Sequence, residues 1–408
     1  MSRTLRFAAE SLAGLALLIS LGVATVAQAQ TAKPEADAAD NPITAWHGAN
    51  VRLVSPVGGR HTIHSYYVNN PESPDGSRVL FYASKEPSGY VGDICMLDRA
   101  TGAETVLARD VHCEDAHRAA CQQWISGGKR VAFHEVRDKQ WRVVVVDVAT
   151  LKQTIVAQDR QLGFGEPTRN DLPIYGCHWN PGQYRDIELV DAETGKIRTA
   201  ARVADVEKAY PEFLKKQFGE KQVSLFFPVI SPDGKRAFVK LAAGNGGDNF
   251  MSKGASKRQG NVVFDLESGK IISMREQWGH PAWHPDSRRI IEMGNILIDT
   301  NDMAVTKIPN LPYLKGTHPC VSPDGKLMAT DGVADQIGGK PGEWGAMIGD
   351  IRGEKYELLM HFDNSRGARS WRRNDPHPVF SRDSKRLYFN VSSGDYTQLY
   401  VAEAKSSD

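Results

Sequence analysis

Beyond its first thirty residues the chain has no apolar run long enough to span a bilayer, so no later segment is expected to cross a membrane. Nor is there an excess of either charge. Fifty Lys and Arg face 49 Asp and Glu, for a net charge of +1, which removes any whole-chain argument for nucleic acid as a partner. Cysteine is scarce: Cys95, Cys113, Cys121, Cys177 and Cys320 make an odd count of five, so at least one thiol stands outside any disulfide. Paired carboxylates do not stand out, which weighs against a hydrolase in which a metal activates water.

What is present begins with an export signal. Arg3 and Arg6 precede an apolar run from Leu12 to Val26, closed by the small-x-small pattern Ala27-Gln28-Ala29. Residues 1–29 read as a signal peptide, residues 30–43 as a flexible leader, and residues 44–408 as one domain. The run is short for an uncleaved anchor, so an exported protein, periplasmic or secreted, is expected, with no stable membrane insertion after cleavage.

The domain is written in a repeat. "NPESPDGSRVLFYAS" from Asn70, "QWISGGKRVAFHE" from Gln123, "VISPDGKRAFVKL" from Val229, "AWHPDSRRIIEMG" from Ala282, "CVSPDGKLMATDG" from Cys320 and "VFSRDSKRLYFNV" from Val379 are variants of one hairpin. Pro presets φ, Asp caps the turn, Gly accepts positive φ, and alternating apolar residues follow. A second hairpin around an acidic residue follows most copies, as in "ICMLDRATGAETVLA" and "NVVFDLESGKIIS". With a weaker unit between Gln158 and Asp191, the pattern predicts an all-β, seven-bladed β-propeller. The last unit lacks an outer strand. The unassigned strand at 50–56 is expected to supply it by pairing with 397–404, which leaves no free edge at the seam. One short helical insert near 204–219 interrupts the pattern, and a monomer is expected.

Three copies begin with His-Pro. His280, His318 and His377 each stand three residues before the same anchor, Trp283, Val321 or Phe380. Equal positions in inner strands stand at equal height around a propeller axis, so the three imidazoles are expected to converge on one divalent metal. Strand alternation would put Cys320 on the face of His318. Three imidazoles and a thiolate suit zinc; a carboxylate such as Asp375 would also suit manganese. Around the same rim lie His112, His117, His134, His178, Tyr184, Arg185 and Arg202. The loops "MSKGASKRQG" and "SRGARSWRRND" add Lys253, Lys257 and Arg258, then Arg366, Arg369, Arg372 and Arg373. Basic loops on a chain of near-zero net charge point to an anionic ligand.

These residues resemble known families. The Ser-Pro-Asp-Gly blades resemble the Tol-type periplasmic propellers over nearly the whole domain. The blades "THPCVSPDG" and "DPHPVFSRD" resemble the propeller polysaccharide lyases, of the oligogalacturonate and ulvan lyase type. That resemblance implies β-elimination of uronate glycans beside a channel metal. Likeness to the oligogalacturonate lyases implies a base histidine at His280 and manganese ligands at His318 and His377. This chain departs from their final motif, with Asp375 in place of a histidine and arginine near a glutamine ligand. Likeness of "EDAHRAACQQW" and "VAFH" to the ulvan lyases implies catalytic roles for His117 and His134, with Tyr184 and Arg202 as partners and Tyr175 as the competing tyrosine. It also implies a structural zinc, which suits His318 with Cys320.

Both families need the same parts. A cation neutralises the uronate carboxylate, a base takes the C5 proton, and an acid protonates the departing O4. An arginine fork suits the carboxylate. The rival reading is a non-catalytic propeller that binds a protein or glycan; such a scaffold has no need of His117, His134, Tyr184 and the arginines together.

Overall fold

The repeat folds as its turn chemistry dictates. In four blades the motif serine donates its hydroxyl to the motif aspartate: Ser73 to Asp75, Ser231 to Asp233, Ser322 to Asp324 and Ser381 to Asp383, at 2.5–2.6 Å. The same serine oxygen accepts the backbone N–H that opens the next strand, at Arg78, Arg236, Leu327 and Arg386. Gly76, Gly234 and Gly325 take φ of 73–74°, the left-handed region that favours glycine. The outer hairpins use a second device. Asp98, Asp147 and Asp191 each accept the backbone N–H and hydroxyl of a threonine three residues on.

The computed structural model describes residues 41–114, 117–314, 318–353, 355–364 and 375–405. The expected signal peptide lies outside the described residues, as do Arg366, Arg369, Arg372 and Arg373. Among the described residues no helix is long and apolar enough to cross a membrane.

Seven four-stranded antiparallel sheets make seven blades. Their strands fall within 61–112, 123–158, 161–201, 223–275, 282–307 and 320–362, and the seventh blade combines 379–403 with 50–53. Closure is as expected: Asn50–Leu53 pairs antiparallel with the final strand, Asn50 opposite Glu403 and Leu53 opposite Tyr400. Buried Glu72 of blade 1 reinforces the seam. It accepts from Arg386 Nε and Nη2 at 2.8 Å and from the Tyr388 hydroxyl, both on blade 7. The insert forms two α-helices, Val203–Ala209 and Pro211–Phe218. All five cysteines are buried.

The turn aspartates make stability pH-dependent. The Ser73 hydroxyl holds the Asp75 carboxyl down to about 2, and the Thr101, Thr150 and Thr194 amides lower Asp98, Asp147 and Asp191. A carboxyl whose folded pKa lies below its unfolded value stabilises the fold above the ordinary carboxylate range and loses that contribution as pH falls through the folded value. The urea midpoint is therefore expected to fall steadily as pH drops from about 5 to about 2. A flat profile would show that these caps contribute nothing.

Candidate active site at the upper channel mouth

Each inner strand begins at one mouth of the central channel and turns at the other. The mouth where the inner strands begin holds a cavity of about 200 Å³, lined by Tyr66, His117, Arg118, Phe226, Phe227, Lys240, Arg258, Trp278, His280, His318, Trp344 and Asp375. The first strands of blades 5, 6 and 7 open with Ala282, Cys320 and Val379, so each His-Pro pair stands just outside its strand, at this mouth. The rings are neighbours: His280 lies 4.5 Å from His318, and His318 lies 4.4 Å from His377, centroid to centroid.

One group among the described residues has metal-ligating geometry. His117, His318, Asp375 and His377 each offer one donor atom, all within 4.8 Å of one another. The group is preorganised. Asp331, fully buried, accepts the His318 backbone N–H at 2.7 Å and the His377 backbone N–H at 2.8 Å. Its two oxygens also lie 3.1 Å from His318 Nδ1, which leaves Nε2 as that ring's donor atom. His377 has φ of 50°, a left-handed conformation rare for a non-glycine residue and held here by the Asp331 contact. Both ring nitrogens of His377 are buried without a hydrogen-bond partner among the described residues. Burial, then the neighbouring His318, keeps that ring well below the ordinary histidine range, which favours the neutral imidazole that could ligate an ion.

The observed set differs from the expected one. Cys320 is not in it. His318 and Pro319 precede the strand, so period-two alternation does not reach back to them, and Cys320 instead lines the opposite mouth. Burial pushes its thiol up to about 12, so it is a protonated thiol. His280 lines the cavity but is not in the ligating group. Its backbone N–H donates to buried Glu292 at 2.7 Å, and Gly279 permits that approach, because a Cβ there would stand 2.2 Å from Glu292 Oε2. His117, expected in a catalytic role, joins the ligating group, with Nδ1 at 3.9 Å from Asp375.

The remaining expected site residues divide. Arg258 lines the cavity, with its guanidinium 4.9 Å above the Phe226 ring. Lys257 is exposed and donates to the Gln217 carbonyl, away from it. His134 is fully buried; its Nδ1 accepts the Leu162 N–H at 2.9 Å and its ring packs on Trp141. Tyr184 lies under the Arg160 guanidinium, at 3.3 Å. Arg202 is exposed at the start of the first helix. None of these last three lines the cavity. Tyr175 is nearer, accepting from Arg118 Nη1 at 3.1 Å.

Sequence reasoning missed Arg118, Lys240, Tyr66, Glu292 and Asp331. Lys240 is 3 % exposed, with Nζ 5.2 Å from the Phe227 centroid and 5.1 Å from that of Trp278. A signal was available. The second strand of five blades carries a polar residue within its apolar run: His134, Lys240, Glu292, Asp331 and Asn390. Each recurs three to five positions after the basic residue that opens or precedes that strand.

No family model matches the chain, and no curated protein sequence matches it. Among solved structures it is similar to an oligogalacturonate lyase in complex with manganese, with TM-score 0.61 and 17% identity over 88% of this chain and 94% of that one. An oligogalacturonate lyase from Vibrio parahaemolyticus gives TM-score 0.59 and 15% identity, covering 87% and 93%. At such identities the likeness shows the fold alone, a seven-bladed β-propeller.

Proposed function

We propose that this protein is an exported lyase that cleaves uronate-containing anionic glycans by β-elimination at the upper channel mouth. The observation that supports it is one cavity holding three cationic side chains, Arg118, Lys240 and Arg258, beside the ligating group and a further imidazole, His280. Cations beside a uronate carboxylate offset its charge as the C5 proton leaves, and partly buried cations do so with less solvent screening. His280 takes that proton. The electron pair forms the C4–C5 double bond, the C4–O4 bond breaks, and O4 leaves protonated. Tyr66, which lines the same cavity with its ring 4.5 Å from that of His377, is the available hydroxyl donor for O4. The aromatic walls Trp278 and Trp344 suit a sugar face.

His117, His318, Asp375 and His377 fit a divalent ion, since the buried nitrogens of His377 have no other partner. A bound ion would supply fixed positive charge at the cavity floor. Three imidazoles with one carboxylate favour zinc, with manganese second. The closely similar fold of the manganese-bound oligogalacturonate lyase is consistent with either assignment.

The experiment is incubation of the purified chain with polygalacturonate, oligogalacturonates and ulvan, following ultraviolet absorbance of the unsaturated uronate, with elemental analysis of the same sample. Product from one of them and close to one metal per chain are expected. No unsaturated product from any uronate glycan would replace this reading with that of a binding propeller.

A further inference from the structure

The opposite mouth of the channel is a second cavity, of about 280 Å³; Tyr67, which lines it, packs 5.0 Å from His318, which lines the first. Its walls are apolar: Val229, Ile230, Trp283, Val321, Val379 and Phe380. The hairpin turns of the blades ring its rim, and at two of them the chain departs from its own repeat by placing a charged residue in the cavity lining. Blades 4, 5 and 6 place Pro232, Pro285 and Pro323 at the rim, and blade 7 puts Arg382 at the equivalent position, in Ser381-Arg382-Asp383. The turn itself does not require the change, because Ser381 caps Asp383 as in the proline-bearing copies.

The second departure is in blade 3. Its first turn spans residues 163–170, eight positions, where blades 4, 6 and 7 use five, 231–235, 322–326 and 381–385. The longer turn is fixed to both neighbours: Phe164 N donates to Pro228 O, Ile230 N to Phe164 O, Gly127 N to Pro167 O and Ser126 N to Arg169 O. It lays Glu166 into the funnel. Among the described residues neither Glu166 nor Arg382 has its side chain in a hydrogen bond or ion pair, with each other or with any neighbour. Burial pushes the Glu166 carboxyl up to about 7, against the pull of Arg382 and Arg169. A carboxyl and a guanidinium, each added at the expense of the repeat, thus face one apolar funnel without a hydrogen-bond partner among the described residues.

We propose that the lower mouth is a binding site for a small zwitterion with an apolar body, of the α-amino-acid class, its ammonium on Glu166 and its carboxylate on Arg382. The guanidinium fork suits a carboxylate, and a carboxylate accepts an ammonium in charge-assisted hydrogen bonds. The apolar walls take the side chain. This site is separate from the lyase reading and does not depend on it.

Isothermal titration of the full chain tests it with three probes: L-phenylalanine, phenethylamine, which has only the ammonium, and 3-phenylpropionate, which has only the carboxylate. L-phenylalanine is expected to bind about tenfold more tightly than either half-ligand. Glu166→Gln should remove its advantage over 3-phenylpropionate, and Arg382→Ala its advantage over phenethylamine. Arg382→Pro, which writes the residue of the other blades into blade 7, should lose the same preference with no loss of thermal stability. No heat with any probe, or equal affinity for all three, overturns the proposal. So does a lowered melting temperature in both Arg382 variants with ligand preference intact, which would make Arg382 a residue of the fold.

Discussion

His280→Ala is expected to lower turnover of the cleaved uronate glycan by about two to four orders of magnitude, the usual cost of removing a positioned proton-transfer group. Its metal content should stay at the wild-type level, because His280 lies outside the group formed by His117, His318, Asp375 and His377. His318→Ala should behave differently. It removes a donor whose orientation Asp331 fixes from two sides, so metal content and activity should fall together. The pair of variants separates two roles that neighbouring rings, 4.5 Å apart, could otherwise share. If His280→Ala loses metal, the ring is a ligand and the base must be sought elsewhere. If it retains full activity, with metal, the elimination mechanism as drawn is wrong. Tyr184→Phe, by the same geometry, should be nearly silent, since that ring packs under Arg160 rather than in the cavity.

Glu72→Ala should give the largest loss of stability among single changes at the seam. Glu72 is 2 % exposed and accepts two hydrogen bonds from Arg386 and one from Tyr388. Removing one partner of a buried ion pair costs roughly 3–5 kcal/mol, and the lower end is expected here because Arg386 keeps Asp383 at 2.8 Å. The Arg386 guanidinium, raised mainly by its Glu72 hydrogen bonds, would keep only Asp383, and the Tyr388 hydroxyl would lose its acceptor. Glu72→Gln keeps an acceptor for Arg386 and should cost less. Denaturant unfolding followed by tryptophan fluorescence reads both. A Glu72→Ala midpoint equal to wild type would show that strand pairing alone holds the ring closed.

The architecture was legible because its information is local. Ser-Pro-Asp-Gly and Asp-x-x-Thr turns satisfy their own hydrogen bonds within five residues, so the copies announce themselves wherever they fall. The position of the three His-Pro pairs was legible for the same reason, as a fixed offset from the repeat. What could not be read was partnership across the ring. Strand alternation wrongly tied Cys320 to His318, because the strand starts only at Cys320. His117 reaches the ligating group from the loop before blade 2, a distance set by loop lengths that no period encodes. Tyr184 and Arg202 were placed by approximate spacing to a family pattern; a loop within blade 3 takes Tyr184 under Arg160, and the helical insert after that blade takes Arg202 elsewhere. Lys240, Glu292 and Asp331 look like polar interruptions in apolar strands. Their meaning appears only when the second strands are aligned on one another.

The pairing of Asn50–Leu53 with the final strand also sets an order of events for a chain still being made. His117 and His377 are 260 positions apart, and Asp375 lies beside the latter. Bringing such distant segments together costs more chain entropy than forming any hairpin, so the blades can assemble singly while the circle stays open. A nascent chain halted before residue 375 holds only His117 and His318 of the four donors. On the proposed function, tight uptake of an ion would wait until residues 375–377 have joined the ring, so loading would report that the seventh blade is in place.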